Sequence, residues 1–164
     1  MLSDLLDLSQ LEVNEPVKEI VNLKQIIEAE IGFLSEENKK RVNFESADID
    51  FLIDPDDFSM IVRNLLRNAC NYSEQNEKII INLLIDNSEV ILSVLDKGRG
   101  ISISDQKRIF ERFYRVDKGR SRALGGTGIG LSLVKHAVER NNGDIQLESK
   151  LGEGSEFIVK FFKT

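Results

Sequence analysis

The segment DPDDFSMIVRNLLRNACNY, residues 54–72, contains the strongest helical pattern of the chain. Asp54-Pro55 is expected to open this helix, because Pro is favoured at an early helical position. Apolar side chains then recur at i, i+3, i+4, i+7, i+8 and i+11, which is the spacing of a single buried helix face. They are Phe58, Ile61, Val62, Leu65, Leu66 and Ala69. The segment therefore predicts a long amphipathic helix that packs on the core.

The flanking segments predict further helices and several short strands. Helical spacing occurs at residues 23–34, with Asn22 as a candidate N-cap, at 128–141, and over a shorter stretch at 102–110. Strand patterns occur at residues 13–21, 41–44, 50–53, 78–85, 90–95, 145–149 and 157–162. This order predicts an α+β fold, a two-layer sandwich in which about three helices cover a mixed, mostly antiparallel sheet.

The composition limits the classes of function. The 164 residues favour one domain, with a Leu-rich helical segment at residues 1–12 that is too short and too apolar to stand alone. One cysteine, Cys70, excludes an internal disulfide, and one histidine, His136, excludes a site that needs two imidazoles. No apolar run approaches the ~18 residues of a membrane span, and the acidic start is unlike a signal peptide.

The net charge of −6 is unevenly distributed. Residues 1–57 carry −10 and residues 58–164 carry +4, and seven bases lie among two acids between positions 107 and 122. This basic run indicates either a small anionic ligand or a solvated loop, and the acidic chain as a whole disfavours duplex nucleic acid. Residues 114–127 lack a usable period and are expected to form a long loop.

Three asparagines are candidates for a metal site. Asn64, Asn68 and Asn71 lie at i, i+4 and i+7, so they share one flank of the long helix. Asn lowers helix stability because its side chain competes for the backbone, so three in register suggest a function. Their carboxamide oxygens are hard, neutral ligands suited to Mg²⁺. A solvated stripe is the alternative.

Two glycine-containing segments are candidates for ligand contacts. Asp96 ends a predicted strand and precedes Gly98 and Gly100, so it offers an acceptor for an amino group beside closely approaching backbone, or an ordinary turn. The sequence GGTGIGLSLVK, residues 125–135, leads into a helix and predicts a phosphate cradle. It is not a P-loop, since no Lys-Ser/Thr follows, nor a Rossmann turn, since no strand precedes it.

Together, four sequence boxes resemble those of sensor histidine kinases. They are the N box NLLRNACNYS (64–73), the first glycine box DKGRGI (96–101), the F box FERFYR (110–115) and the second glycine box GGTGIGL (125–131). GEGSEF at 152–157 resembles the closing hairpin of that family, and LLDLSQLE at 5–12 is similar to the end of its second dimerisation helix. The resemblance implies the Bergerat ATP-binding sandwich, which type II topoisomerases, MutL-like repair proteins and heat-shock chaperones share.

The resemblance also implies ATP and Mg²⁺ as cofactors and assigns the site residues. Asn68 would ligate Mg²⁺ and act with Arg115 in catalysis, Asn64 would support the metal site, and Asp96 would accept from the adenine amino group. The other expected nucleotide contacts are Asn71, Tyr72, Gly98, Gly100, Ile101, Tyr114, Lys118, Gly126, Thr127, Gly128, Ile129, Gly130, Leu131 and Ser155. Residues 114–124 would form the lid over ATP.

Two positions bear on the type of reaction. Hydrolytic members of the superfamily have a Glu at the position of Asn64, and Asn cannot act as a base at neutral pH. Asn71 stands where the kinase family usually has a basic residue, which predicts weaker turnover or altered nucleotide affinity. A degenerate nucleotide-binding module and a hydrolytic ATPase are therefore the alternatives to a kinase.

The resemblance finally implies partners for the reaction. Residues 1–12 would be the trailing end of a dimerisation domain whose helical hairpin carries the phosphorylated histidine, and 13–164 would be the catalytic domain. His136 does not correspond to that histidine, because it lies in the helix that follows the second glycine box. A receiver domain of a response regulator would take the phosphoryl group. We expect a homodimeric parent whose cytoplasmic part includes this segment, itself monomeric, with no nucleic-acid or membrane contact.

Overall fold

In a computed structural model, residues 2–116 and 126–163 are described. Helices in these ranges are α1 (Leu2–Val13), α2 (Leu23–Gly32), α3 (Glu36–Lys39), α4 (Pro55–Tyr72), α5 (Ile103–Gln106) and α6 (Gly130–Arg140). Strands are β1 (Glu19–Asn22), β2 (Val42–Phe44), β3 (Asp50–Ile53), β4 (Ile79–Asp86), β5 (Glu89–Asp96), β6 (Gly143–Lys150) and β7 (Gly154–Phe162).

The main sheet has five strands in the order β2-β4-β5-β7-β6. Only β2 and β4 run parallel, and the other neighbours are antiparallel. β1 and β3 form a separate antiparallel pair. This arrangement confirms the predicted α+β sandwich with a mixed, mostly antiparallel sheet.

The core lies between the main sheet and the helix layer. α4 packs between α2 and α6, and all six residues of its predicted apolar stripe are buried. From the sheet side, Val90, Leu92 and Val94 alternate inward along β5. The rings of Phe58 and Phe161 meet at a centroid distance of 6.1 Å. Full burial of each such side chain contributes about 1.5–3 kcal/mol, which makes this face the main source of stability.

The predicted helix starts are confirmed by their caps. The Asn22 side chain accepts from the Gln25 amide at 3.1 Å and so begins α2. The Asp54 carboxylate accepts from the Asp56 and Asp57 amides at 3.0 and 3.1 Å, and Pro55 is the first residue of α4. These bonds satisfy amides that have no partner inside the helix.

The structure differs from the sequence prediction in a few short elements. The helix expected at 102–110 is limited to α5, because Lys107 caps it after one turn and residues 107–110 form turns. The four-residue α3 was not predicted. The predicted loop at 114–127 lies partly outside the described residues. None of the described helices is long and apolar enough to cross a membrane.

Candidate functional site

A cleft opens beside α4, between the end of β5 and the segment that leads into α6. The described residues that line it and were expected to contact a ligand are Asn64, Asn68, Asn71, Tyr72, Asp96, Gly100, Ile101, Tyr114, Arg115, Gly126, Thr127, Gly128, Gly130, Leu131 and Ser155. The sequence boxes, which are distant along the chain, therefore meet at one site.

Two of the expected site residues that the structure describes are not part of this lining. Ile129 is 1% exposed and belongs to the hydrophobic core, so its side chain packs under the site. Gly98 lies behind the cleft wall, where its amide contacts Asp96. Lys118 lies outside the described residues.

Asp96 lies at one end of the cleft as the last residue of β5. Its side chain is buried, and its Oδ1 accepts from the Gly98 amide at 2.8 Å. Opposite it in the register lies Ser155 on β7. Burial raises the pKa of Asp96, while the Gly98 and Ser155 amides and the charge of Arg41 act in the opposite direction. A buried acceptor with few partners is suited to an amino group of a ligand.

Backbone packing around the Asp96 end requires glycine. A Cβ on Gly98 would lie 2.2 Å from the Tyr72 carbonyl oxygen. Gly100 has φ +68°, and a Cβ there would lie 1.9 Å from the Lys150 carbonyl oxygen. Both distances are far below any contact a real Cβ makes, so the strand end and its neighbours can approach only through glycine.

The three asparagines lie on one flank of α4, but their surroundings differ. Asn64 is buried, with Nδ2 donating to the Met60 carbonyl at 2.9 Å and Oδ1 accepting from Arg67 Nη2 at 2.8 Å. Its side chain is thus held in one orientation. Asn68 and Asn71 are half-buried and line the open cleft.

At the opposite end of the cleft, a polar network connects α1 to the second glycine box. The buried Asp4 carboxylate lies 3.4 Å from Arg67 Nη2 and accepts from Thr127 Oγ1 at 2.8 Å. Arg67 also holds Asn64, as described above. α1 therefore contacts both the helix wall and the glycine wall of the cleft.

α6 begins at this end of the cleft without a side-chain cap. The residue before it, Ile129, makes no cap through its side chain, and the first turn of α6 contains no acid. A Cβ on Gly130 would lie 2.9 Å from Asn64 Oδ1, so the start of the helix abuts α4. A helix N-terminus with free amides attracts anions, and glycine lets them approach closely.

The rim of the cleft is braced from α5. The Tyr114 hydroxyl donates to Asp105 Oδ1 at 2.5 Å, and the Arg108 guanidinium lies 4.3 Å from the centre of the Tyr114 ring. The hydrogen bonds from Ser102 and Tyr114 lower the pKa of Asp105, and the bond to Asp105 raises the pKa of Tyr114. Both shifts follow from the hydrogen bond between the two side chains, which fixes Tyr114 at the rim of the cleft, next to Arg115 in the chain.

Sequence reasoning missed two arginines that line the cleft. Arg67 lies three residues after Asn64 on the same helix, and this spacing could have identified it as a neighbour. Arg99 lies 5.3 Å from the centre of the Tyr72 ring, a contact between segments that no local pattern predicts. Two further apolar residues, Ile109 and Val116, also line the cleft.

The cleft thus has the buried Asp96 carboxylate at one end, and Arg67 paired with Asp4, glycines and a helix N-terminus at the other. This arrangement defines a site for a ligand with an amino-bearing ring and an anionic tail, as in the class of nucleotide-binding proteins. Residues 53–164 match the family of histidine kinase-, DNA gyrase B- and HSP90-like ATPases. The match spans more than half of the chain, and the chain belongs to this family.

Two curated relatives are sensor kinases. The sensor-like histidine kinase SenX3 of Mycolicibacterium smegmatis is 46% identical over 98 residues, which cover 60% of this chain and 26% of SenX3. The signal transduction histidine-protein kinase ArlS of Staphylococcus aureus is 31% identical over 166 residues, covering 98% of this chain and 37% of ArlS. The chain therefore spans about a quarter to two fifths of the length of these relatives.

Solved structures of histidine kinases share the fold. AdeS of Acinetobacter baumannii gives a TM-score of 0.79 at 22% identity, with 98% of this chain and 76% of that chain covered. The catalytic domain of ThkA, in a nucleotide-free form, gives 0.77 at 25% identity, covering 90% and 97%. Full-length ShkA in complex with AMPPNP gives 0.78 at 23% identity, covering 99% and 35%.

Proposed function

We propose that this chain is the ATP-binding catalytic domain of a two-component sensor histidine kinase. It would pass the γ-phosphoryl group of Mg-ATP to an imidazole nitrogen of a histidine on a dimerisation domain, leaving ADP. The observation that carries the proposal is the cleft itself, which joins the buried Asp96 to the glycine segment before α6. The family and its kinase relatives support the same conclusion.

The Asp96 end of the cleft is suited to adenine. Its carboxylate would accept from the exocyclic amino group, and Ile101 and Tyr72 would pack beside the ring. Because the pocket wall behind Asp96 is closely packed backbone, the carboxylate has little freedom to move away from the ligand. Ser155 lies opposite and would complete this end.

The other end of the cleft is suited to the triphosphate. Amides of the segment from Gly126 to Gly130 and the start of α6 would donate to phosphate oxygens. Arg115, which lines the cleft, would contribute positive charge, with Lys118 expected to join it. Arg67 on α4 also lines the cleft, but its charge is partly compensated by Asp4, so it makes up only in part for the uncharged Asn71.

Asn68 is the proposed Mg²⁺ ligand. Its carboxamide lies on the open side of α4 along the cleft, and a neutral oxygen donor fits a metal that takes few protein ligands beside phosphates. When bound, Mg²⁺ would supply positive charge that offsets the negative charge of the phosphates. Asn68 would hold the metal from the α4 side of the cleft, and the amides of the glycine segment would donate to the phosphates.

Asn64 favours transfer over hydrolysis. Both ends of its carboxamide are engaged, by the Met60 carbonyl and by Arg67, and an amide has no basic group to activate water. The side chain therefore holds the Arg67 guanidinium against α4, the helix that carries both residues. This chemistry supports a site that holds ATP until an acceptor arrives.

The acceptor histidine and the receiver domain would be supplied by other segments or proteins. His136 lies on α6 with Nε2 3.4 Å from the Leu11 carbonyl oxygen, so it contacts α1 and not the cleft. We propose that α1 is the end of a dimerisation helix in a homodimeric parent. This catalytic segment would then function in the cytoplasm.

The test is phosphoryl transfer in two parts. A separately produced dimerisation hairpin is mixed with this chain and γ-labelled ATP, and we expect acid-labile label on the hairpin. A hairpin with its acceptor histidine replaced by Gln is the control and should stay unlabelled. Absence of label despite ATP binding would contradict kinase activity and favour a binding-only module. Steady phosphate release without the hairpin would favour a hydrolytic ATPase.

A further inference from the structure

Arg41, the residue before β2, places a buried guanidinium beside the end of α4. The residue is 5% exposed. It donates to the Glu77 carbonyl at 3.1 Å, the Glu74 carbonyl at 2.8 Å and Asn38 Oδ1 at 3.0 Å. It also donates to the Ser73 hydroxyl, and it lies 3.5 Å from the Cys70 carbonyl. All these acceptors are uncharged.

These contacts lead directly to the wall behind Asp96. Ser73 pairs with Gly98 in an isolated antiparallel bridge, and Gly98 donates its amide to Asp96 Oδ1 at 2.8 Å. These contacts are closely packed, because even a Cβ on Gly98 would lie 2.2 Å from the Tyr72 carbonyl oxygen. A shift of the chain at Tyr72–Ser73 would therefore move Gly98 and with it the Asp96 carboxylate.

We propose that Arg41 is a positioning residue for recognition of the adenine amino group, acting through Ser73 and Gly98 on Asp96. This inference rests on the proposed function, in which Asp96 accepts from that amino group. Arg41 itself does not line the cleft, so it acts on the ligand only through Asp96.

The charge of Arg41 explains why a neutral side chain would not serve equally well. Burying a cation that meets only neutral acceptors costs free energy. An uncharged donor could bind the same carbonyl groups without that cost, so hydrogen bonding alone does not account for an arginine at this position. Burial raises the pKa of Asp96, the Gly98 and Ser155 amides oppose this effect, and the charge of Arg41 opposes it to a smaller extent. Arg41 thus favours the carboxylate form, which only accepts hydrogen bonds.

The test compares two nucleotides that differ at the amino group. ADP carries the exocyclic amino group, whereas purine riboside diphosphate has a hydrogen in its place and keeps the same ring nitrogens, so the ratio of their affinities reports on the contact of that amino group with Asp96. Calorimetric titration of the unchanged chain should give about a tenfold or larger preference for ADP, as expected for a bond to a charged acceptor. In Arg41→Met the preference should fall to about threefold or less, since both geometry and charge are lost.

Arg41→Lys and Asn141→Ala are the comparison variants. The lysine keeps the charge but cannot make all the hydrogen bonds, so its ratio should lie between those of the unchanged chain and Arg41→Met. Asn141 is a buried clamp remote from the cleft, bonded to Asp57 at 2.6 Å and the Ala137 carbonyl at 2.9 Å. Asn141→Ala should lower the melting temperature and leave the ratio unchanged, which separates positioning from general loss of stability.

Each outcome decides between the inferences. Equal affinity of the unchanged chain for both nucleotides would refute adenine recognition by Asp96, and so the proposed function of that residue. A normal preference that persists in folded Arg41→Met would overturn the role of Arg41 and leave the Asp96 assignment standing. If Arg41→Met does not fold, Arg41→Lys and Ser73→Ala decide, and an unchanged ratio in both overturns the proposal.

Discussion

Replacing Asp96 by Asn tests the most specific feature of the cleft. The substitution keeps the shape of the side chain and leaves an oxygen to accept from the Gly98 amide at 2.8 Å. It replaces the carboxylate oxygen that would accept from the adenine amino group with an NH2 group, which is itself a donor. The lost bond to a charged acceptor is worth about 1.5–3 kcal/mol, so ADP affinity should fall by about 10- to 150-fold.

Stability should change much less than affinity in Asp96→Asn. Removing a buried charge, whose pKa burial has already raised, offsets part of the loss of its bonds to backbone amides. A residual cost of about 1 kcal/mol corresponds to a melting shift of roughly 2–4 °C for a domain of this size. Circular dichroism during heating checks this expectation.

Calorimetric titration with ADP is the assay for the affinity change. Asp144→Asn, an exposed aspartate near the start of β6, makes the same charge change away from the cleft and should leave ADP affinity unaltered. ADP affinity within twofold of the parent in folded Asp96→Asn would refute the reasoning. A fall in both variants would show instead that net charge controls binding.

Two further predictions concern the metal and the pH. Asn68→Ala removes one neutral oxygen ligand, so it should abolish the gain in ATP affinity that Mg²⁺ produces in the parent and leave metal-free binding within about twofold. Calorimetric titration with ATP in the presence of Mg²⁺ or of EDTA measures this gain. A gain preserved in Asn68→Ala would contradict the metal assignment. Burial raises the pKa of Asp96 above its ordinary 3.8, so the carboxylate is lost at a higher pH than in an exposed Asp. The preference for ADP over purine riboside diphosphate should therefore decline on acidification with a midpoint above 3.8, and a preference constant down to that pH would exclude the carboxylate as acceptor.

Local patterns predicted most of the fold because they determine its main elements. The stripe from Phe58 to Ala69 can be buried on one side only as a helix, and Asp54 with Pro55 gives that helix a defined start. The paired strands β4 and β5 follow from two apolar runs joined by a short polar turn. The helix predicted at residues 102–110 was too long because its period was read across residues that form turns in the structure.

The site was predicted as a set of residues but not as a set of contacts. Asn64, Asn68 and Asp96 were identified by type and spacing and do line one cleft. The network from Asp4 to Thr127 joins residues 123 positions apart, so it depends on how α1 packs and leaves no trace in local sequence. Ile129 was grouped with the glycines around it, although its apolar side chain is buried in the core.

The backbone packing at Gly98 and Gly100 also bears on drug resistance. Resistance to an inhibitor commonly arises when a pocket residue is exchanged for a larger one that obstructs the compound. Here a methyl group at either position would collide with a carbonyl oxygen, at 2.2 Å from Tyr72 and 1.9 Å from Lys150. A compound that rests against Gly100, with Gly98 packed behind it, would thus face a wall that substitution cannot enlarge without disrupting the end of β5.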